Sequence, residues 1–443
     1  MRMASIRLIV TLSVAGICAA EQVHVRQAGF TPSETGLPNG WKTWAPRAEI
    51  MPRAFIDTVR YRTGPGSLAI NGSSNPAEHG GWEYLVQGVE AGKWYRFTAW
   101  YRAEGLTYEP VQVLAKLKWV NGEGKPTGRP DFPFAVAPEG GWTRLTLDAP
   151  APAKASGVKL QLVLANAPQA MVWWDEISFD EIPAPAPRPV AIATLKFEPR
   201  GAGSAAEALR RCIEVVDKNV HGKTDVIVLG EMLTWAGTRG PYQEVAEPVP
   251  GPSTARLGEL ARARKTYVVA GLIERDGVAI YNTAVLIDRE GRLAGKYRKV
   301  HPAYDEIEGG ITPGDQYPVF QTDFGKVGMM ICWDVHFADP ARALAFQGAE
   351  IILMPIWSDR REISKNRALE SQAFIVTSCY GNPSVILDPE GEPLALATEQ
   401  GTAAIATIDL NRRYEYMGLG SFRERMAREM RPQLPLKRPG FVQ

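Results

Sequence analysis

"KVGMMICWDVHFADPARALAFQGAEIILMP", residues 326–355, decides how the second half of this chain is read. An apolar run stops at Cys332, passes through Trp333, Asp334 and His336, and resumes as a helical pattern and then a second apolar run. Asp339 and Pro340 stand where a helix cap and a first helical position belong, and "EIILMP" suits a strand buried on both faces. Strand, turn, helix, strand is the repeating order of a layered α/β domain. The cysteine falls at the strand end, where side chains from distant segments converge when helices cover a sheet.

The same position type recurs twice. Glu231 ends the strand "DVIVLGE" and Lys299 ends the strand–loop "GKYRKVHP". Between and around them "TYVVAGLI", "AIYNTAVLID" and "GRLAGKYRK" read as strands. "SAAEALRRCIEVVDKNV" reads as a helix opened by Ser204 and Glu207, with Leu209, Cys212, Ile213, Val216 and Val220 on one face, so Cys212 belongs to a core. A thiol needs a proton acceptor before it can attack, and a fixed ammonium can hold a thiolate or an oxyanion. Spacing alone leaves plainer readings open: a packed cysteine, a capping glutamate and a solvated "KYRK" run. His336, four positions after Cys332, offers a Cys–His pair, although a strand-to-helix turn would face the two apart. His301, Asp305, Glu306, Glu308, Asp334 and His336 have metal-ligand chemistry but no ligand spacing, so no metal is expected. Trp357, Ser358 and His336 are candidate pocket residues; Cys379 reads as packed.

"LGEM", "KYRKVHP", "GGITPGD" and the stretch around Cys332, followed by "RALESQAFIVTSC" and "ILDPEGEPLA", resemble in this order the signature segments of the nitrilase superfamily of carbon–nitrogen hydrolases, over residues 190–410. The resemblance implies a four-layer αββα sandwich. It implies Glu231 as general base, Lys299 as oxyanion-stabilising cation, Cys332 as nucleophile, and the Trp333 backbone N–H as the rest of the oxyanion hole. A second glutamate between lysine and cysteine is matched by Glu308, with Glu306 as the alternative. The implied reaction is amidase-type hydrolysis of a small-molecule amide through a thioester, or nitrile hydrolysis through a thioimidate, without a cofactor. A homodimer or larger homo-oligomer is implied as well. Gly230 replaces the usual proline, Pro302 the usual leucine, and His336 and Asp339 the usual arginine and glutamate.

Residues 22–182 read as all-β. "VQVLAKLKWV" sets Val111, Val113, Ala115, Leu117 and Trp119 on one face, and Gln112, Lys116 and Lys118 on the other. "GWKTW", "GGWEYLV" and "MVWWDEISF" resemble a jelly-roll module of the carbohydrate-binding or galactose-binding-like kind, which implies a glycan as candidate partner. A glycan-binding protein with an inactive hydrolase scaffold is the alternative from another class. Tryptophans also fill sandwich cores, the better account for most of those here; Trp82 is the least core-like. "IPAPAPRPV" makes residues 183–189 a stiff linker.

The chain has 443 residues, a formal net charge of +1 and 45% hydrophobic residues, which gives no reason to expect a nucleic-acid partner. The first twenty residues, with a basic start, a short apolar run and "CAA", read as a signal peptide, hence a secreted or periplasmic location. Beyond it Cys212, Cys332 and Cys379 make no disulfide framework. Residues 411–443 read as a charged, proline-containing tail and a candidate oligomer contact.

Overall fold

The computed structural model describes residues 24–34, 36–414 and 423–429. The expected signal segment and most of the tail lie outside them. The chain divides into two units. Residues up to Gly128 with Ala135–Ala184 form the first, and Arg129–Phe134 with everything from Pro185 onward forms the second. The short segment Arg129–Phe134 therefore leaves the expected 22–182 block: Asp131 pairs with Arg413, and Phe132 and Phe134 take the guanidinium groups of Arg425 and Arg428 over their rings.

In the first unit all strands pair antiparallel. A seven-stranded sheet includes Ser67–Asn71, Met171–Ile182, Trp94–Glu104 and Trp142–Pro150. A four-stranded sheet runs Trp41–Trp44, His79–Gln87, Gly157–Ala165, Val113–Val120. Alternation drives their packing. Trp41, Trp82, Leu160, Leu162 and Leu117 of the smaller sheet meet Leu68, Ile70, Phe97 and Phe179 of the larger in one core. Trp82 corrects the expectation: it is fully buried, and its indole N–H donates to the Ala69 carbonyl at 3.1 Å. Strand parity puts Trp82, Tyr84 and Val86 inward, which outweighs the glycine and glutamate beside Trp82. The strand expected from Val111 starts at Val113. Pro110 opens a helical turn, Glu109–Gln112, and Gln112 Oε1 accepts from the Thr107 and Tyr108 N–H groups.

The second unit holds two six-stranded sheets. One runs Leu293–Arg298, Ala279–Ile287, Tyr267–Asp276, Val226–Val228, Pro189–Lys196, Thr402–Asp409. The other runs Val319–Gln321, Lys326–Met329, Ile351–Ile356, Phe374–Cys379, Ser384–Leu387, Pro393–Ala397. Their facing sides share a core of Ile192, Val226, Val269, Met329, Ile351 and Leu353. The outer side of the first sheet packs on helices Ala205–Asn219 and Pro252–Arg264, and that of the second on Ala338–Phe346 and Arg361–Ser371. The layers therefore run helix, sheet, sheet, helix. Central strands such as "VIV" and "IILMPI" are apolar throughout because both faces are covered. Ser204 caps its helix, accepting from the Glu207 N–H at 3.2 Å. Pro189, expected in the linker, is the first residue of a strand, a position where its missing N–H costs little. Asp339 is not a cap: the helix starts at Ala338, and the Asp339 carboxylate accepts from Tyr317 instead.

Trp82→Ala should destabilise the protein by about 3–5 kcal/mol through the cavity it opens. Urea unfolding followed by circular dichroism checks this, with a shift below 1 kcal/mol contradicting the burial.

Candidate active site

The strand Val226–Val228 runs parallel to Tyr267–Asp276. Leu293–Arg298, two antiparallel steps further on, points the same way, so Glu231 and Lys299 leave the sheet at one edge. Lys326–Met329, parallel to its neighbour Ile351–Ile356 in the other sheet, delivers Cys332. Cys332 takes a left-handed backbone conformation (φ +44°) at the switch from strand to a short 3-10 turn, Cys332–His336. Such a conformation strains a residue with a Cβ and persists only where its surroundings enforce it.

Asp334 enforces it. Its buried carboxylate accepts from the Ile331 N–H at 2.9 Å, the His301 N–H at 3.0 Å and the Tyr297 hydroxyl at 2.7 Å. One side chain thus ties the cysteine turn to the loop carrying Lys299. Burial pushes its pKa up, against the pull of those donors.

Lys299, 1% exposed, places Nζ 3.1 Å from Glu231 Oε1 and 2.5 Å from Glu306 Oε2. Asn282 bridges the two carboxylates, donating from Nδ2 to Glu231 Oε1 at 2.8 Å and to Glu306 Oε1 at 2.7 Å, while its backbone carbonyl accepts the Lys299 backbone N–H at 2.9 Å. Burial pulls Lys299 down, but Glu231, Cys332 and Glu306 together hold it above the ordinary ammonium range. Glu231 is 2% exposed, and its Oε2 is buried with no hydrogen-bond partner among the described residues. Its pKa is raised, first by burial and further by Glu306, with Lys299 and Asn282 opposing. The Cys332 thiol is pushed up by burial and by the adjacent Glu231 carboxylate, against Lys299 and the Trp357 backbone N–H.

The expectation for the second glutamate is corrected. Glu308 is exposed, whereas Glu306 is 3% exposed and reaches the lysine. Both lie on the helical turn Tyr304–Glu308, and residues two apart on a helix face nearly opposite ways. Glu306 also reaches back to accept the Ala303 N–H at 2.6 Å, the helix-start role of an acid at the third position.

Trp357 follows its strand as expected. Its ring meets Tyr380 at 4.9 Å and Trp235 at 5.7 Å, with the Arg239 guanidinium 4.5 Å from its centroid. Ser358 is exposed beside it. His336 is exposed, its ring 4.3 Å from that of Trp333, which is itself 42% exposed. No group of three or more His, Cys, Asp or Glu able to hold a metal occurs among the described residues. Cys212 and Cys379 are buried and unpaired. Sequence reasoning missed Asn282 and Tyr380, whose hydroxyl donates to the Glu231 carbonyl at 2.6 Å, and took Asp334 only as metal-type chemistry. The available signal was polarity inside a buried strand, as in "AIYNTAVLI".

Residues 190–417 match the family model described as carbon-nitrogen hydrolase. This chain belongs to the carbon–nitrogen hydrolase family. It is an enzyme of that family. Its relatives include an omega-amidase NIT2 from Xenopus tropicalis, 28% identical over 53% of this chain and 89% of that one. A nitrilase from Pyrococcus abyssi is 37% identical over 39% of this chain and 71% of its own. The crystal structure of Saccharomyces cerevisiae Nit3, a nitrilase-superfamily member, aligns at 23% identity and a TM-score of 0.44, covering 50% of this chain and 90% of that one.

In this hydrolase Glu306→Gln should lower kcat/KM on an amide substrate by about 10²-fold through misplacement of Lys299. Glu308→Gln should stay within about twofold of the parent. Steady-state kinetics of the two variants check the assignment, and the reverse ranking would restore Glu308.

Proposed function

We infer that the chain is an amidase acting through Cys332, Glu231 and Lys299. The observation that carries this reading is the unpartnered, buried Oε2 of Glu231 in a cluster that also holds the Cys332 thiol and the Lys299 ammonium. Glu231 accepts the thiol proton as Sγ attacks the amide carbonyl carbon. Lys299 Nζ and the Trp333 N–H stabilise the resulting oxyanion. Collapse breaks the carbon–nitrogen bond, and the amine leaves with the proton held by Glu231. Water then gives a proton to Glu231, attacks the thioester carbonyl, and releases the acid; the thiol is restored. Glu306 and Asn282 are positioning residues for Lys299 and Glu231. The omega-amidase relatives favour an amide substrate. The Pyrococcus nitrilase supports a second reading, in which the same thiol adds to a nitrile and the thioimidate is hydrolysed to acid and ammonia. The two-sheet first unit, with its "MVWWDEISF" strand, supports a jelly-roll carbohydrate-binding module with a glycan ligand.

Cys332→Ala should abolish turnover and leave the circular-dichroism spectrum unchanged. The parent should show, by mass spectrometry, an acyl adduct on the peptide containing Cys332. Ammonia release from a panel of amides and nitriles separates the two readings, and undiminished activity in Cys332→Ala would end both.

The acid limb of kcat/KM should lie above 4.5, the ordinary value for a glutamate, because Glu231 is raised. Below that limb Glu231 is protonated and cannot accept from the thiol, so activity falls with falling pH. A profile flat down to about pH 4 would remove Glu231 as the acceptor.

A further inference from the structure

The four-stranded sheet of the first unit turns one face to the core. Its other face carries a rung set by register across all four strands: Lys42, Glu83, Gln161 and Lys116. Glu83 and Gln161 are buried. Gln161 Nε2 donates to Glu83 Oε2 at 2.6 Å, and Lys42 Nζ lies 3.0 Å from Glu83 Oε1. Gln161 Oε1 is buried with no hydrogen-bond partner among the described residues. Trp44, two residues along from Lys42 and on the same face, receives two ammonium groups: Lys116 Nζ at 5.3 Å and Lys118 Nζ at 5.8 Å from its ring. Lys116 Nζ also meets His79 Nε2 at 3.0 Å. Lys159, paired with Lys118 in the ladder, adds a fourth lysine to this face, where Glu83 is the acid of the rung.

Ordinary surface lysines point apart into water or pair with acids. Here two of them lean over one indole, and among the described residues neither forms an ion pair. Burial and the charge of Lys118 bring Lys116 down to about 8, and burial with Lys116 brings His79 down to about 4. The face carries more ammonium groups than carboxylates, and among the described residues only Lys42 of its four lysines has a carboxylate partner there.

We propose that this face binds an acidic polysaccharide, with the Trp44 ring against the C–H face of a uronate ring and Lys116 and Lys118 on its carboxylate. An indole offers a flat apolar platform to a sugar ring, and an ammonium pair beside it selects a charged sugar over a neutral one. A polyphosphate chain suits the face less well, because it offers no apolar ring face to the Trp44 indole. The inference rests on the reading of the first unit as a carbohydrate-binding module and adds the place of the site and the charge of its ligand.

The test is isothermal titration of the full chain with polygalacturonate, its methyl ester and neutral xylan. Binding of polygalacturonate is expected to weaken by at least about tenfold in Trp44→Ala and in Lys116→Met, and to weaken with added salt. The methyl ester and xylan are expected to bind at least about tenfold more weakly. Both substituted side chains are partly exposed, and unchanged amide turnover and melting temperature in each variant confirm the fold. Equal binding of the acid and its ester, or an unaffected Lys116→Met, overturns the anion assignment and leaves the module reading standing. Failure of all three glycans to bind overturns both.

Discussion

The buried ammonium of Lys299 is the constraint on which the active site depends. A lysine almost wholly removed from water costs several kcal/mol unless opposite charge and hydrogen bonds surround it. Glu231 and Glu306 supply the charge, and Asn282 holds the two carboxylates in register around it. Removing either carboxylate would leave the others miscompensated, so the three polar side chains act as one rigid body. That rigidity fixes the position of the Lys299 ammonium. Stability and function thus press on the same atoms, and the site is costly to build by halves.

A third carboxylate does the corresponding work for Cys332. Cys332 sits in a backbone conformation that costs about 1–3 kcal/mol for a residue with a Cβ. Asp334 offsets this by accepting from the N–H of Ile331, just before the turn. Its other contacts, to Tyr297 and the His301 N–H, belong to the segment that carries Lys299. Sulfur and cation are therefore positioned against each other through one buried acid that touches neither.

Much of this was legible in the sequence where the physics is local. The Cys332 turn, the ends of the Glu231 and Lys299 strands, the Ser204 cap and the change from alternating to continuous apolar runs all follow from short-range periodicity. What was not legible depends on parity or on three-dimensional reach. Glu306 and Glu308 differ only in which side of one helical turn they occupy. Trp82 looks exposed beside Gly81 and Glu83 until strand parity is counted from Trp41 and Leu160 across the ladder. Asn282 and Tyr380 carry no motif. Each is a polar group inside an apolar strand or at its end, and only the partners it meets from other elements give it a role.

Gly230 shows how a departure from the family pattern can be a paired change. A Cβ at this position would lie 2.3–2.4 Å from the Tyr380 ring and hydroxyl. Proline, usual at this position, would collide with the same ring. With glycine there, Tyr380 passes over the chain and donates its hydroxyl to the Glu231 carbonyl, pinning the Glu231 backbone. On the other side a Cβ at Gly271 would sit 2.7 Å from Glu231 Cα, so the neighbouring strand can approach to that distance only without a side chain. The Gly271 N–H donates to the Gly230 carbonyl at 3.0 Å and closes the clamp. Glu231 is thus held from two sides by its own backbone, and its Oε2 is left with no hydrogen-bond partner among the described residues.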